Sequence, residues 1–386
     1  MSTLPFELMD LIIGHIQGDK DALASCSLLS RSWLHSSRPY LFGSVTLCDH
    51  SYEVFLRLKA SRHCTFISSI KTLSISRPEK DRFSDTDFTK LIRKLTGFPS
   101  LTCLRLSYIC WTHLSATSVD AFTAVFHDIT ELDIQHSTFE KPHQLIALLA
   151  CLPRLEKVTV HTQLLYDETW MQALPGLPTP SAPPGSLQVV RLRLDSYDTC
   201  PCASILSWIV NGPPTVRVLK LGRIWREGLP AVGPHLRTLG PVLRELDLDL
   251  ASFISAREVG KHLAPHLACL PHIAHLTVHV DLSESEPKHC QWYACLALLG
   301  ALPRAPPALE KFTMVFTGKY LPEDFDWAHL YAEVRAHTRL RLMRFHLQSS
   351  ISNVRRAMEE IRRLVAPEFA ARGSIEVSLF NSVVLT

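Results

Sequence analysis

Apolar positions along the chain follow two different periods. From residue 4 to 42 the spacing is helical: Leu8, Ile12 and Ile16 fall at i, i+4 and i+8 and give one apolar stripe. Pro5 suits a first turn, where a missing N–H costs nothing. Gly18-Asp19 breaks this helix, and Asp19 is positioned to cap a second one, in which Leu23, Cys26, Leu29 and Trp33 recur every three or four residues. Pro39 then forces a new start.

Beyond residue 70 the unit becomes apolar-x-x-apolar-x-apolar. It occurs as Ile70/Leu73/Ile75, Leu101/Leu104/Leu106, Ile129/Leu132/Ile134, Leu155/Val158/Val160 and Leu187/Val190/Leu192. Val216/Leu219/Leu221, Leu243/Leu246/Leu248, Ile273/Leu276/Val278, Leu309/Phe312/Met314 and Leu340/Met343/Phe345 complete ten copies. Their starts are separated by 31, 28, 26, 32, 29, 27, 30, 36 and 31 residues, a near-regular step that marks a solenoid. The last two apolar positions alternate with polar ones, as in a strand with one buried face. Between them lie amphipathic helical segments such as Phe88-Leu91-Ile92-Leu95 and Leu145-Leu148-Leu149, several ending in a proline turn (Phe98-Pro99, Leu152-Pro153, Leu270-Pro271, Leu302-Pro303). Strand and helix alternating with one hand predict an α/β solenoid, with a curved parallel sheet inside and helices outside. Ile375-Val377-Leu379 predicts a closing strand.

Composition narrows the functional classes. Forty basic and 37 acidic side chains leave a formal charge of +3, which argues against bulk attraction to nucleic acid or an anionic membrane. The longest apolar run, Leu145 to Leu152, is far short of the roughly 20 residues of a spanning helix. The opening MSTLPFELMD carries Glu7 and Asp10 without a basic cluster, unlike a secretory leader. Eleven cysteines, an odd number, stand mostly beside Leu or Ala (Cys26, Cys151, Cys269, Cys295), as reduced thiols used as small core residues do. The expected compartment is the cytoplasm, the nucleus or both.

Residues 4 to 47, LPFELMDLIIGHIQGDKDALASCSLLSRSWLHSSRPYLFGSVTL, resemble an F-box of the fungal style. The Leu-Pro-x-Glu-Leu opening, the Cys-Ser-Leu-Leu-Ser-Arg-Ser-Trp centre and the Ser-Arg-Pro-Tyr-Leu-Phe close carry the resemblance. The repeats resemble the irregular leucine-rich repeats of F-box proteins. They depart from the leucine-rich pattern three residues after the third apolar position, where Pro78, Ile109, Ser137, Gln163, Asp195, Ile224, Ala251, Asp281, Thr317 and Gln348 replace the family's asparagine. The resemblance implies a small all-α F-box (1–47), a linker with a first connecting helix (48–69) and a repeat solenoid (70–386). It further implies docking on the Skp-type adaptor of a cullin-RING (SCF-type) ubiquitin ligase through Leu4, Pro5, Glu7, Leu8, Ile12, Ile16, Leu23, Cys26, Leu29 and Trp33, with the solenoid holding a protein substrate. Two alternatives stand beside it: a scaffold that uses the adaptor with no degradative outcome, and a stand-alone repeat binder with a vestigial F-box.

Candidates for catalysis or metal binding are thin, and no cofactor is expected. His262 and His266 are four apart, but His-Leu-Ala-Pro-His lacks the glutamate of a zinc protease and contains Pro265. His272, His275 and His279 flank or lie on a strand, and Cys200-Pro-Cys202 has no second pair. There is no glycine-rich phosphate loop and no Gly-x-Ser-x-Gly elbow. The reading is a binding protein, not an enzyme. In each strand the residue between the second and third apolar positions points away from the helices: Ser74, Arg105, Asp133, Thr159, Arg191, Lys220, Asp247, Thr277, Thr313 and Arg344. Arg193, Arg217 and Arg223 join Arg191 and Lys220 in a basic patch suited to an acidic or phosphorylated segment. The competing reading is that these charges pair across adjacent strands. The Pro-rich residues 174–186, the acidic Ser283–Pro287 and the Arg-rich 335–363, whose Arg355-Arg356 and Arg362-Arg363 form the polar back of a capping helix, complete the surface features.

Overall fold

Each apolar unit of the sequence becomes a strand because its alternating side chains can bury one face on the helix that follows. The computed structural model describes residues 4–48, 51–76, 85–111, 116–164, 182–195, 201–251, 254–282, 290–304, 308–318, 327–348, 354–361, 363, 369 and 373–380. The chain divides into two compact units, Met1–Pro184 and Gly185–Thr386. The division falls near the end of the Pro-rich stretch, of which residues 174–181 lie outside the described residues, as do Cys200, residues 283–287 and Arg362.

In the first unit the order is α1 (Phe6–His15), α2 (Lys20–Ser27), α3 (Arg31–Phe42), β1 (Ser44–Leu47), α4 (Tyr52–Ala60), β2 (Thr72–Ser76), α5 (Asp85–Lys94) and β3 (Cys103–Ser107). It continues with α6 (Ala116–Phe126), β4 (Glu131–Phe139), α7 (Pro142–Ala150) and β5 (Lys157–Leu164). Strands β1 to β5 pair in sequence order, all parallel. In the second unit the order is β6 (Val189–Asp195), α8 (Pro201–Val210), β7 (Val218–Ile224), α9 (Leu229–Leu239), β8 (Glu245–Leu250), α10 (Ala256–His262), α11 (Ala264–Leu267) and β9 (His275–Leu282). There follow α12 (Cys290–Ala301), β10 (Lys311–Gly318), α13 (Trp327–Ala336), β11 (Leu342–Gln348), α14 (Val354–Glu360) and β12 (Ser374–Phe380). Strands β6 to β12 again pair in sequence order and parallel. Both units are α/β, solenoid-like arrangements. The closing strand is β12, and the Arg-rich stretch contributes α14, with Arg355 and Arg356 exposed.

All three apolar positions of every repeat are buried; Ile70, Leu73 and Ile75 are typical. Each fully buried side chain of this size contributes about 1.5–3 kcal/mol. The first apolar position closes a turn, as where the N–H of Ile129 donates to the Phe126 carbonyl at 3.2 Å. Ahead of β2–β5 and β7–β11, one carbonyl of the preceding repeat accepts two N–H groups. Thr130 and Glu131 both donate to Thr102, Arg244 and Glu245 to Arg217, and Glu310 and Lys311 to Ala274. This doubled bond locks the register from main-chain atoms alone.

Three residues after the third apolar position, two side chains cap a neighbouring main chain. Ser137 accepts the Ile109 N–H at 3.2 Å, and the Gln348 side-chain carbonyl accepts the Gly318 N–H at 2.8 Å. Ile109, Ile224 and Ala251 at the same position are simply buried, and their main chains pair directly: the Ala251 N–H donates to the Ile224 carbonyl at 2.9 Å. Tyr108, His136 and Arg223, each one residue past the fifth strand position, adopt left-handed backbone with φ of 60°, 48° and 41°. The register shifts next to His136 and Arg223 are bulges, beyond which pairing resumes at Ser137–Thr162 and Ile224–Leu250.

The N-terminal segment differs from the sequence reading in four ways. Pro5 is the N-cap of α1 and not a first-turn residue. The second helix stops at Ser27; Leu28 to Ser30 form a turn, and Trp33 belongs to α3, capped by Ser30, whose hydroxyl accepts the Trp33 N–H at 3.4 Å. Pro39 lies inside α3, which runs on to Phe42. The proline removes a single N–H donor there, and packing of α3 against both α1 and α2 holds the helix together. Residues 44–47, expected at the end of the helical segment, are β1. Asp19 caps α2 as expected, accepting the N–H groups of Asp21 at 3.1 Å and Ala22 at 2.9 Å.

Candidate functional site

Two surfaces collect the residues with functional potential. The first is the N-terminal helices. Helix α1 is apolar on more than one side, yet only Met9 and Ile13 of its residues are buried. Helix α1 packs on α3, where Ser36 and Ser37 are buried, and Leu23 of α2 is fully buried as well. Ser37 is satisfied there by donating to the Trp33 carbonyl at 2.7 Å. The remaining apolar side chains point outward: Leu4, Phe6, Leu8, Leu11 and Ile12 around α1, and Leu28 (86% exposed) and Leu29 (67% exposed) in the turn before α3. Seven large exposed hydrophobics within 26 residues are far more than the scattered single ones usual on a protein surface.

Of the ten residues expected to dock an adaptor, Leu4, Pro5, Glu7, Leu8, Ile12 and Leu29 are exposed, and Ile16, Cys26 and Trp33 are half-buried. Leu23 is the exception: with no exposed surface it is the centre of the helical core and offers nothing to a partner. Sequence reasoning missed Phe6, Leu11 and Leu28. Phe6 and Leu11 fall off the i, i+4, i+8 stripe, and Leu28 becomes a surface residue only because α2 stops short of it.

The second surface is the sheet face of the second unit that points away from the apolar row. The cross-strand register aligns Arg191, Lys220, Asp247, Thr277, Thr313, Arg344 and Glu376 in one lateral row, the row anticipated from the repeats extended by one. The first unit aligns Ser74, Arg105, Asp133 and Thr159 in the same manner. The basic patch is only partly assembled. Arg191 and Lys220 are lateral neighbours, and Arg193 lies against Gly222, where an added Cβ would come within 2.9 Å of the arginine side chain. Arg217 precedes β7 and shares the parity of the core-facing Leu219, and Arg223 turns out at the bulge with its guanidinium 5.1 Å from the centre of the Trp225 ring.

Much of the charge in this row is paired across strands. Lys220 Nζ lies 3.2 Å from Asp247 Oδ2, whose other oxygen is 2.9 Å from His279 Nε2. His275 Nδ1 is 3.2 Å from Glu245, and Arg344 Nε donates to Glu376. Burial pushes the Asp247 carboxyl up, but its bonds to His279 and Lys220 outweigh that and hold it below the usual carboxylate range. Burial pulls His279 down, and the Asp247 bond with the charges of Asp247 and Asp249 overcomes it, leaving the imidazole above its usual value. Asp249 is the converse: burial dominates and keeps its carboxyl high despite His279, Arg193 and Arg223. His275 and His279, coincidences at the sequence level, are therefore parts of an ordered carboxylate–imidazole network.

Among the described residues no group of three or more His, Cys, Asp or Glu side chains is arranged to hold a metal ion. Nor, among them, is any helix long and apolar enough to cross a membrane. Cys103, Cys202 and Cys295 are buried, while Cys26, Cys151 and Cys269 are only half-buried. The sequence matches no protein-family model and no curated protein.

Proposed function

We propose that the chain is the substrate-recognition subunit of an SCF-type ubiquitin ligase, its N-terminal helices acting as an F-box on a Skp-type adaptor and its repeat body binding a target protein. The observation that carries this reading is the exposure of Leu4, Phe6, Leu8, Leu11 and Ile12 on and just before α1, and of Leu28 and Leu29 in the turn before α3, in a group of three short helices whose own core needs only a few residues. Short helices with an unpartnered apolar face gain by burying it in a helical groove. Half-exposed side chains of this size leave on the order of 1 kcal/mol each for a partner to recover, enough together to offset much of the cost of association. Leucine-rich-repeat-like strands with a polar open face supply the second binding surface. The mechanism is proximity: holding adaptor and target on one chain raises the target's effective concentration beside the ubiquitin-loaded enzyme, with no bond made by the chain itself.

The test is co-purification with a Skp-type adaptor, comparing wild type with Leu8→Asp/Ile12→Asp and with Leu28→Asp/Leu29→Asp. All four positions are exposed, so circular dichroism should report intact folds. Capture by wild type and loss in both variants is the expected result. Absence of capture by a folded wild type removes the ligase reading and leaves a repeat protein with a different partner.

A further inference from the structure

The apolar row of the second unit stops being buried at β12. Met343, Phe345 and Leu347 on β11 have no exposed surface, whereas of their lateral neighbours on β12 Ile375 and Val377 are half-buried and Leu379 is 52% exposed. The strand is also open on one side. β11 takes one edge in unbroken one-to-one register, and among the described residues nothing hydrogen-bonds to the other. Ser374 donates its N–H to the Arg341 carbonyl at 2.8 Å, so along the ladder the main-chain groups of Glu376 and Ser378 also face β11. Those of Ile375, Val377 and Leu379 therefore face the free edge. A row of bare N–H and C=O groups is a template for another strand.

Proteins usually guard such an edge with a proline, a lysine, a bulge or an unpaired charge. The strand Ser374–Phe380 contains neither proline nor lysine, and its register on β11 has no bulge. Its one charged side chain, Glu376, already takes Arg344 Nε, and Ser378 hydrogen-bonds His346. Both contacts hold β12 flat against β11 and leave its far edge clear. β1, at the start of the first unit's sheet, is four residues long and offers no comparable edge.

We infer that a second copy of the chain occupies this edge, β12 pairing antiparallel with its counterpart about a two-fold axis at Val377. The strand is self-complementary in that register. Ile375 falls opposite Leu379 of the second copy, Val377 opposite Val377, and Glu376 opposite Ser378. Residues whose main-chain groups face outward thereby meet one another, as the hydrogen-bonded pairs of an antiparallel ladder require. The half-covered apolar row continues across the axis on the same face. Charge selects this register over its neighbours: the next one in one direction sets Glu376 directly opposite Glu376, a destabilising like-charge pair. The next in the other direction carries Ile375 past the end of the strand. A foreign segment would have to reproduce this pattern, whereas a second copy carries it by symmetry. An isologous pair uses both free edges and closes at a dimer. None of this rests on the proposed receptor role.

The experiment is sedimentation velocity on the full chain from roughly 1 to 100 μM, a span suited to a reversible contact smaller than the standard interface of about 1,600 Å². A concentration-dependent shift from monomer to dimer is expected, with amide exchange in peptides spanning β12 slowing as the dimer forms. Val377→Pro removes an outward N–H that bonds nothing among the described residues, a change that edge strands accept. Leu379→Lys puts a guarding charge at an exposed position. Each should weaken association roughly tenfold, as loss of a central pair requires, with circular dichroism unchanged. Leu8→Asp/Ile12→Asp, on the N-terminal helices, should associate as wild type does. A chain that stays monomeric throughout overturns the inference, as does association undiminished in either folded edge variant, growth beyond a dimer, or association lost in the helix variant. Adaptor capture is read on the N-terminal helices, so its failure and the failure of this edge are told apart.

Discussion

Replacing Asp247 by asparagine should unbalance the open face of the second unit in a pH-dependent way. The carboxylate holds two cationic groups at once, Lys220 at 3.2 Å and His279 at 2.9 Å, with its side chain only 17% exposed. A hydrogen bond to a charged partner is worth about 1.5–3 kcal/mol, so losing the charge for both groups should cost about 3 kcal/mol where both are ionised. The direction of each pKa shift sets the window. Asp247 is held low, so its contribution is present above the ordinary carboxylate pKa and fades as pH falls through its lowered value. His279 is held high, so its contribution is full below the ordinary imidazole pKa and fades as pH rises through its raised value. The wild type should therefore exceed Asp247→Asn most between about pH 4 and 6.5, with about half the difference surviving at pH 8.5 through Lys220, which stays charged. Urea unfolding across this range measures the difference, and NMR titration of His279 measures the cause, with its midpoint falling in the variant. A stability difference that is flat from about pH 6 to 8.5, or a His279 midpoint indifferent to the substitution, would refute the pairing as the source of the effect.

Leu23→Ala should destabilise the N-terminal helices by about 2–5 kcal/mol, because Leu23 is fully buried; loss of their helical signal in circular dichroism at moderate urea checks it. Cysteine alkylation at about pH 8 should separate the thiols by burial. Exposed Cys48 should be labelled early, whereas Cys151, its thiol pushed up to about 11 chiefly by burial, and fully buried Cys295, pushed up further, should remain unlabelled until the chain unfolds, as read by mass spectrometry.

Main-chain architecture was largely legible, because one unit repeated ten times averages out the ambiguity of any single match. Every copy became a strand, down to the polar residue chosen for the open face. Helix ends at the N-terminus were less legible. The stop at Ser27 and the passage through Pro39 depend on how three helices pack, a tertiary balance that outweighs the local preference of proline. The candidate surfaces divide along the same line. That apolar residues of the first helices had a docking role could be proposed from their order. That Leu23 turns inward while Phe6, Leu11 and Leu28 turn outward depends on rotation about helix axes that no stripe of three residues fixes.

The doubled acceptance of two N–H groups by one carbonyl ahead of β2–β5 and β7–β11 bears on how such a chain tolerates change. Because strand alignment is set by these main-chain bonds, additions and losses on the helical side need not propagate into the sheet. The spacing between repeat starts ranges from 26 to 36 residues, while the register of the affected strands stays one-to-one over their common core. Descendants of one such gene could therefore trade helices and loops freely and still present their polar columns in step, so that new recognition properties arise by editing surface letters on an unchanged ruled page.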